Sequence, residues 1–346
     1  MKHQICVLGA FAFRKPHYDG QTIKTRNLLT LLQNNNVDID FFDVQDFKAN
    51  KLLVFSLFWK MIHCKNLYYL PAQNNLIFLF PVIYFLSKIF GFQIHYFVVG
   101  GWLVEILENK PRHRKQLSKI AGIHCETQFM KKALEMDYHF TNVDVFPNFR
   151  INDFVPTAHH DDGKLKLVFM ARIIKMKGLD LIFKLGDYLI EKGLQDTISI
   201  DFYGPQQNHD DDIAYFETNL VKYGFMRYLG PLDPTNIYIT LEKYDAMLLP
   251  THFYTEGLPG SILDAYIAGI PVIVTKWKHA TEFVDDGESG IIIPFEDDGT
   301  ELVGAVMKLF ENTTLMNQMK RKAQRKWHEF SSDKAWELIQ KYQNYK

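Results

Sequence analysis

Two carboxylates, Glu256 and Asp264, stand eight positions apart on either side of a short run of small residues, GLPGS, at 257–261. Carboxylates accept hydrogen bonds from sugar hydroxyls. The first amides of a helix have no partner within the helix and lie at the positive end of its dipole, so they bind phosphate. If a helix begins near Gly260 and Ser261, the segment therefore predicts a site for a ligand that carries both sugar and phosphate, such as a sugar–diphosphate–nucleoside.

The residues around this run predict the elements that hold it. Pro259 suits the first turn of a helix, because it has no N–H to leave unpaired. Gly269 suits the left-handed conformation just past a helix end. The apolar segment Val272–Thr275 then predicts a buried strand. The order is therefore loop, helix, tight turn and strand.

A second cluster of charge comes earlier in the chain. Arg172 and Lys177 follow a strand-like run at 167–170 and precede Gly178, which opens a predicted helix. Open α/β sheets bind ligands at such strand ends. Arginine can bond two phosphate oxygens at once, and lysine adds a point charge. Taken alone, Arg172 and Lys177 would be interpreted as ordinary surface charges. Together with the 249–275 segment, they indicate a diphosphate site.

The bulk composition limits the classes of protein to which the chain can belong. Its 346 residues are 47% hydrophobic and 23% charged, which is typical of a globular protein with two domains. The net charge is −1, but residues 1–150 carry +7 and the remainder −8. A basic first half suits an anionic partner such as a membrane surface, with solvated surface charge as the alternative. Nucleic acid is not expected, because the cations are scattered and no nucleic-acid motif accompanies them.

The three cysteines, Cys6, Cys64 and Cys125, are far apart and have no metal-ligand spacing. Cys6 and Cys125 lie in apolar, strand-like runs, which predicts buried thiols in a reducing compartment. The short apolar run at 5–8 indicates a first strand rather than a signal peptide. We therefore expect a cytoplasmic protein.

Two apolar segments raise the question of a membrane. Residues 76–86 (LIFLFPVIYFL) form an unbroken apolar run that contains Pro81, but a membrane span needs about 20 such residues. Residues 52–59 (LLVFSLFW) are shorter, and Lys51 and Lys60 flank them. Both segments predict helices. The sequence leaves open whether these helices pack on a sheet or place their aromatic side chains at a membrane interface.

Short buried strands alternate with helices along the chain, which predicts parallel sheets with helices on both faces. Strands are predicted at 5–8, 39–42, 67–70, 94–99, 123–126, 143–146, 167–170, 198–203, 227–229, 246–249, 272–275 and 291–294. Helices are predicted at 20–32, 76–90, 130–134, 179–191, 213–223, 236–243 and from 300 onwards. The polar segment 157–163 interrupts the alternation and predicts a domain boundary.

The segment from Glu256 to Asp264 resembles the E-x7-E motif of retaining GT-B glycosyltransferases of family 4 (glycosyl transferases group 1), with Asp in place of the usual second Glu. Residues 170–178 (MARIIKMKG) are similar to the family's G-R…K-G segment, with Ala171 where Gly is common. Looser similarities lie at Gly20 after the loop with Arg14 and Lys15, at Gly100-Gly101, at Pro147-Asn148 and at the D-G-x-x-G turn of 286–290. The histidine that often precedes the glycine near position 100 is replaced by Val99.

The resemblance implies an α/β GT-B fold, with two Rossmann-like domains whose parallel sheets face a central cleft. It implies an acceptor-binding domain at 1–157, a donor-binding domain at 164–325 and a last helix within 326–346 that crosses back to the first domain. The implied activity is that of a retaining hexosyltransferase. It would move a sugar from a nucleotide-diphosphate sugar, with UDP favoured, to a hydroxyl of a glycan or lipid-linked glycan in capsule, O-antigen or exopolysaccharide synthesis.

By the same resemblance, Glu256, Lys177 and Arg172 are the expected catalytic residues. The expected donor-binding set comprises these three with Gly20, Gly257, Leu258, Gly260, Ser261 and Asp264. No metal or other cofactor is expected, since the nucleotide-sugar is a co-substrate. The expected partners are this donor, a glycan or polyprenyl-diphosphate-linked acceptor, and the anionic inner face of the cell membrane as a peripheral contact.

Two alternatives remain. A nucleotide-sugar 2-epimerase shares the fold and would need acid–base residues in the first domain, such as Glu105 or Glu126. A glycosyltransferase-like partner subunit would need no catalysis. The run Asp210-Asp211-Asp212 contains the letters of a D-x-D metal motif, but it predicts a loop or a helix N-terminus because no second carboxylate cluster accompanies it. The histidines His124, His139, His159 and His160 are expected to be structural.

Overall fold

The computed structural model describes residues 3–14, 19–71, 73–157, 163–206 and 210–343. Lys15, the pair His159 and His160, and most of the predicted boundary segment therefore lie outside the described residues. The chain forms two compact units, here called the first and second unit. The first comprises Met1–Ile151 with Phe330–Lys346, and the second comprises Asn152–Glu329.

Six parallel strands form the sheet of the first unit. They are β1 (His3–Gly9), β2 (Ile39–Asp43), β3 (Cys64–Leu70), β4 (Gln93–Phe97), β5 (Gly122–Cys125) and β6 (Val143–Val145). Their order across the sheet is β2-β1-β3-β4-β5-β6. The helices of this part of the chain are α1 (Gly20–Asn34), α2 (Val44–Ala49), α3 (Val54–Ile62), α4 (Gln73–Phe78), α5 (Phe80–Phe90), α6 (Leu103–Glu108), α7 (Pro111–Leu117) and α8 (Gln128–Tyr138).

Residues 5–8 of β1 are apolar without interruption, and the packing of the strand shows why. Ile5 and Val7 belong to the core beneath α1, whereas Cys6 and Leu8 belong to the core on the opposite face, which α3 and α5 help to form. Successive side chains of a strand point to opposite faces, so a strand covered on both faces must be apolar at every position. The three cysteines are buried free thiols, as predicted for Cys6 and Cys125.

The second unit contains another sheet of six parallel strands. They are β7 (Leu165–Met170), β8 (Ile198–Tyr203), β9 (Met226–Tyr228), β10 (Ala246–Leu249), β11 (Val272–Thr275) and β12 (Gly290–Ile293). Their order is β12-β11-β10-β7-β8-β9. The helices are α9 (Leu179–Glu191), α10 (Asp210–Leu220), α11 (Ile237–Leu241), α12 (Gly260–Ile267), α13 (Thr300–Glu311) and α14 (Thr313–Lys326). The prediction of two parallel sheets with surrounding helices is confirmed.

The last helix, α15 (Ser332–Gln343), belongs to the first unit. Ala335, Ile339 and Tyr342 recur at helical spacing and are buried in the core beneath α1. The hydroxyl of Tyr342 donates a hydrogen bond of 2.8 Å to the carbonyl oxygen of Val145. Its ring stacks on that of His124, with 4.1 Å between the ring centroids.

The prediction of a single helix at 76–90 is wrong, because α4 and α5 are separate helices with a break at Leu79. Pro81 is the cause. Proline has no N–H group to continue the hydrogen bonds of a helix, and its ring clashes with the carbonyl group four residues earlier. It does fit the first turn of a new helix. The carbonyl oxygen of Ile77, which Pro81 cannot bond, instead accepts a 3.0 Å hydrogen bond from the Nε2–H group of His113. Among the described residues, no helix is long and apolar enough to cross a membrane.

His124 makes the stability of the first unit sensitive to acid. Burial, followed by the neighbouring His95 and Lys24, lowers the pKa of His124 well below its usual 6.5. The unfolded chain therefore binds a proton at this position at pH values where the folded chain does not. As the pH falls below about 6.5, the free energy of unfolding must fall with it.

We expect His124→Phe to flatten this dependence, because the variant keeps a ring against Tyr342 and removes the titrating group. The measurement is urea unfolding at about pH 7.5 and about pH 5.5, with the difference in unfolding free energy compared between wild type and variant. His328→Phe is the control, because His328 is an exposed histidine of the second unit. An unchanged difference in His124→Phe would contradict the assignment.

Candidate functional site

The strand order of the second sheet reverses between β7 and β10. These two strands are parallel neighbours, with Ala246 opposite Leu167. The sheet continues from β7 to β8 and β9 on one side, and from β10 to β11 and β12 on the other. The loops that leave two such strands turn to opposite sides and open a crevice, where open α/β sheets bind ligands. The loops that carry the two predicted clusters of site residues follow β7 and β10.

The loop after β7 is anchored on the end of β8. The amide of Ala171 donates to the carbonyl oxygen of Tyr203, and the amide of Ile173 donates to that of Pro205, each at 3.1 Å. A 3₁₀ turn, Lys175–Lys177, follows. Gly178 then turns the chain into α9 with a φ of +83°, as expected for a glycine that opens the helix.

Gly178 also sets how closely the two loops approach each other. A Cβ atom at this position would lie 1.9 Å from the carbonyl oxygen of Pro250, the first residue after β10. No side chain fits in this space. Glycine is therefore required here by its backbone conformation and by the contact between the loops.

Further hydrogen bonds join the two loops. The carbonyl oxygen of Met176 accepts from the amide of His252 at 2.9 Å and from the hydroxyl of Thr251 at 3.2 Å. The Nε2 atom of His252 lies 2.8 Å from Oδ1 of Asp180, in the first turn of α9. The hydroxyl of Thr275, on β11, donates to the carbonyl oxygen of Thr251 at 2.5 Å. These contacts fix the direction in which each loop leaves its strand.

Lys177 and Glu256 meet in this crevice. The Nζ atom of Lys177 lies 2.5 Å from Oε2 of Glu256, and the Thr251 hydroxyl lies 3.5 Å from the same carboxylate oxygen. The ammonium group also stands 5.0 Å from the centroid of the Phe253 ring. The Lys177 side chain is 8% exposed and that of Glu256 is 21% exposed, so water screens this pair less than it would a surface pair.

Helix α12 begins at Gly260, directly after this loop. The prediction that Pro259 lies in the first helical turn is wrong by one position. Pro259 stays extended, with φ −60° and ψ 127°, and serves as the N-cap. No side chain caps the helix, so the amides of Gly260 and Ser261 are not engaged by a capping group. Gly269 ends the segment with a φ of +74°, as predicted.

The other predicted residues of this segment are placed as follows. Gly257 and Leu258 are buried and anchor the loop before α12. Asp264 lies about one turn inside α12 and is 5% exposed. The structure therefore gathers Lys177, Glu256 and the start of α12 around one crevice of the second unit.

The two remaining predicted site residues are Arg172 in the second unit and Gly20 in the first. Arg172 lies in the same loop as Lys177, but it is exposed and no side chain in the described part of the chain pairs with its guanidinium. Gly20 is the first residue of α1 in the first unit, where the carboxylate of Asp19 accepts a 2.8 Å hydrogen bond from the amide of Thr22. The structure of each unit alone does not bring Gly20 to the other predicted residues.

The acidic run 210–212 forms the first turn of α10, in agreement with the prediction of a helix N-terminus. Oδ1 of Asp212 accepts a 3.0 Å hydrogen bond from the amide of Lys175, whose ammonium group lies 4.3 Å from the ring centroid of Tyr215. These contacts hold the turn before Lys177. In the described ranges, no group of three or more His, Cys, Asp or Glu side chains could hold a metal ion.

Sequence reasoning missed the contact of His252 with Asp180. It also missed the two hydrogen bonds that the carbonyl oxygen of Met176 accepts from His252 and Thr251. For Asp180 the sequence indicated only a position in the first turn of a helix, which acidic residues favour. His252 and Thr251 lie inside the segment already singled out, but nothing in the sequence names Asp180 and Met176, some 70 positions earlier, as their partners. The pairing of β7 with β10 supplies that information.

The model of the family described as "Glycosyl transferases group 1" matches residues 152–326, half of the chain. The chain belongs to the glycosyl transferases group 1. The matched range coincides with the second unit, which carries the crevice with Lys177 and Glu256.

Two curated relatives support this placement within the group 1 family. The chain is 26% identical over 157 residues to "Uncharacterized glycosyltransferase MJ1069" of Methanocaldococcus jannaschii, a match that spans 44% of this chain and 38% of the relative. It is 23% identical over 178 residues to "Capsular polysaccharide biosynthesis glycosyltransferase CapM" of Staphylococcus aureus, with 51% and 45% covered. Both matches span less than half of the relative's length.

Solved structures show that this group 1 chain has the GT-B fold. Anabaena Alr3699/HepE in complex with UDP-glucose superposes with a TM-score of 0.74 at 15% identity, over 99% of each chain. The sucrose-phosphate synthase of Thermosynechococcus elongatus superposes with a TM-score of 0.76 at 12% identity, also over 99% of each. The expected fold class is thereby confirmed.

The contact of Gly178 with Pro250 generates a prediction on stability. We expect Gly178→Ala to lower the free energy of unfolding by at least about 3 kcal/mol, because it adds a steric clash to the cost of a left-handed backbone.

The matched control is Gly193→Ala at the other end of α9. Gly193 has a φ of +68°, but no atom lies within 4 Å of its Cβ position. The control should lose only about 1–2 kcal/mol. Equal losses in chemical denaturation would show that the loop contact does not constrain the fold.

Proposed function

We propose that this chain is a retaining hexosyltransferase of family 4, which moves a sugar from a nucleoside-diphosphate sugar to a hydroxyl of a glycan acceptor. One observation carries the proposal. A lysine and a glutamate form a shielded ion pair at the switch point of a parallel sheet, beside a helix N-terminus that no side chain caps. Such a site offers a cation and amides to a diphosphate, and a carboxylate to a sugar. Group 1 membership and the similarity to the HepE fold, which was solved with UDP-glucose, support the choice of a UDP-sugar donor.

The proposed roles follow from charge and position. The amides of Gly260 and Ser261 with the side chains of Lys177 and Arg172 bind the donor diphosphate. Glu256 accepts hydrogen bonds from the sugar hydroxyls, and the buried Asp264 accepts from the ribose. Gly257 and Leu258 shape the loop between them. A donor-binding role for Gly20 rests on the family resemblance alone.

The ion pair suggests how the donor is accepted without leaving a charge unpaired. When phosphate oxygens reach Lys177, the lysine exchanges Glu256 for the diphosphate, and Glu256 turns to the hydroxyls of the sugar. Burying one partner of an ion pair without the other is strongly unfavourable, so an exchange of partners is preferred to simple separation. The 21% exposure of Glu256 allows a ligand to approach it.

Catalysis then consists of stabilising the leaving group. Negative charge builds on the diphosphate as the bond to the sugar breaks, and fixed cations and amides stabilise that charge more in the transition state than in the ground state. Lys177, Arg172 and the start of α12 supply this stabilisation, so the proposed mechanism uses no metal ion. In the proposed retaining reaction, the acceptor hydroxyl attacks on the face that the diphosphate leaves. Its proton passes to a leaving phosphate oxygen.

We further propose that the acceptor is a lipid-linked glycan in surface polysaccharide synthesis, used at the inner face of the cell membrane. The excess of positive charge in residues 1–150 suits an acceptor that carries a polyprenyl diphosphate at an anionic membrane. The relative CapM is named for capsular polysaccharide biosynthesis, which supports the same class of product.

The epimerase alternative loses one of its two candidate acid–base residues in the first unit. Glu126, one of its two candidate acid–base residues, is buried and accepts a 2.8 Å hydrogen bond from Nζ of Lys24. The ammonium group of Lys24 also donates to the carbonyl oxygen of Val98 at 2.8 Å. A carboxylate held in this way has no access to a sugar and serves to neutralise the buried lysine.

We expect Lys177→Ala and Glu256→Ala each to lower turnover by at least about a hundredfold, the usual effect of removing one charge contact from a transition state. The measurement is steady-state release of the nucleoside diphosphate with a glycan acceptor. The control is Lys192→Ala, because Lys192 pairs with Glu191 on the surface of the same unit, with 2.9 Å between the charged atoms. Near-wild-type rates in both site variants would remove the site assignment.

Donor binding is tested separately by thermal stabilisation with UDP-, GDP-, ADP- and CMP-sugars, with and without a metal chelator. We expect one nucleotide class to raise the melting temperature in the presence of the chelator, and Arg172→Ala to abolish this shift because a bidentate phosphate contact is lost. Stabilisation that requires a divalent ion would contradict metal-independent binding. The absence of a shift with any donor would favour the non-catalytic partner subunit.

A further inference from the structure

Large apolar side chains are exposed on one stretch of the first unit. In the described part of the chain, eight of them lie between Leu52 and Ile89: Leu52, Val54, Phe55, Trp59, Phe78, Val82, Phe85 and Ile89. Several are exposed to an unusual degree, with Phe55 at 71%, Trp59 at 63% and Phe78 at 76%. Single exposed apolar residues are ordinary on protein surfaces, but a contiguous group marks a surface that binds a partner.

The spacing of these residues places them on outer helix faces. Phe55 and Trp59 are four positions apart on α3. Val82, Phe85 and Ile89 recur at three and four positions on α5. Residues at these separations lie on the same side of a helix. The intervening residues of both helices, such as Leu57 on α3 and Ile83 on α5, are buried in the core of the first unit.

The two helices are neighbours. The rings of Phe58 on α3 and Phe90 on α5 meet edge to face, with 5.4 Å between their centroids. The exposed residues of α3 and α5 therefore belong to one surface. We call it the α3–α5 face, and it consists of the exposed apolar residues of these two helices: Val54, Phe55, Trp59, Val82, Phe85 and Ile89.

The charged residues in the sequence around this face are lysines, one of which, Lys60, pairs with Asp40 of β2 with 2.5 Å between the charged atoms. No aspartate or glutamate occurs between Asp46 and Glu105, whereas lysines occur at 48, 51, 60, 65 and 88. Lys51, Lys65 and Lys88 are exposed. The ammonium group of Lys88 lies 5.0 Å from the centroid of the Tyr84 ring, at the end of the apolar stripe on α5. An anionic surface would attract this region, at about 1 kcal/mol for each lysine near it.

We propose that the α3–α5 face docks on an anionic lipid bilayer. Tryptophan and phenylalanine side chains suit the boundary between headgroups and acyl chains, and lysines beside them suit lipid phosphates. A second copy of the chain is a poorer occupant, because a twofold interface would set the exposed Lys51, Lys65 and Lys88 of one copy against the same lysines of the other. The proposal deepens the proposed function, since docking would bring a lipid-linked acceptor to the enzyme, but the binding itself does not require transferase activity.

The test is co-sedimentation of the full chain with vesicles of phosphatidylcholine containing about 30% phosphatidylglycerol, compared with vesicles of phosphatidylcholine alone. We expect binding to the anionic vesicles only, weakening as the salt concentration rises. The double variant Phe55→Ser/Phe85→Ser should bind at least about tenfold more weakly, because removing a phenyl ring from an apolar environment exceeds the free energy of a tenfold change.

The matched control is Met136→Ser/Val221→Ser. These two side chains are also exposed, at 73% and 83%, but they are on α8 and just after α10 and are not among the residues of the α3–α5 face. The control should bind vesicles like the wild type. Equal binding by both double variants, or no binding of the wild type to anionic vesicles, would overturn the proposal. A dimer in sedimentation velocity that only Phe55→Ser/Phe85→Ser disrupts, without vesicle binding, would assign the face to a second copy instead.

Donor-induced thermal stabilisation of the same variants separates this proposal from the proposed function. Phe55→Ser/Phe85→Ser should keep the wild-type shift with the nucleotide-sugar, which also shows that the variant is folded. Loss of vesicle binding with an intact donor shift therefore locates the membrane contact alone. Vesicle binding without any donor shift in the wild type would refute the transferase site and leave the docking surface standing.

Discussion

The close approach of two loops at Gly178 is the constraint on which the site depends. The turn that carries Lys177 and the strand end that precedes Glu256 are brought so close that the carbonyl oxygen of Pro250 occupies the space of a Cβ atom. The contact is possible because β7 and β10 are neighbours at the point where the strand order reverses. The hydrogen bonds from Thr251 and His252 to Met176 then leave the ion pair few alternative positions. Preorganised charge of this kind is what stabilises a leaving group without reorganisation during the reaction.

Lys24 with Glu126 and Lys177 with Glu256 are both ion pairs shielded from water, and their surroundings indicate different roles. Lys24 and Glu126 of the first unit are 1% and 4% exposed, and the lysine donates further hydrogen bonds to backbone carbonyl groups. That pair is inaccessible to water, and it joins α1 to the residues that follow β4, β5 and β6. The carboxylate of Glu256 is 21% exposed. Since only an accessible pair can exchange its partners for a ligand, the second pair is suited to binding and the first to holding the fold.

The sequence predicted those features that depend on local chemistry. Strands such as β10 and β11 follow from continuous apolar runs. The start of α9 and the end of α12 follow from Gly178 and Gly269, whose positive φ values are those of helix-flanking glycines. Glu256 and Lys177 could be named from residue type and from the family resemblance. Their contact could not, because it depends on the pairing of two strands separated by some 80 residues. The contact between His252 and Asp180 was hidden for the same reason.

Helix boundaries were predicted less well where a polar group outside the segment takes part. The break between α4 and α5 follows from Pro81, but it is stabilised by His113, which satisfies the carbonyl group that the proline leaves unbonded. The short helices α6 and α7 were not predicted. They are too short to show a clear periodicity, and they form because residues such as Leu107 and Leu117 pack on the sheet.

The apolar segments at 52–59 and 76–86 show why hydropathy alone left two interpretations open. A helix packed on one face of a sheet normally carries polar residues on its outer side. In α3 and α5 the inner face is packed in the core, as the first interpretation requires, and the outer face is also apolar. The outer face is the one that we propose to contact a membrane. An apolar outer face costs solubility and adds nothing to the core. The absence of acids over the same stretch removes the group that would repel an anionic bilayer. The proposed docking of the α3–α5 face on an anionic membrane accounts for both features, because the bilayer would cover the apolar side chains and attract the lysines beside them.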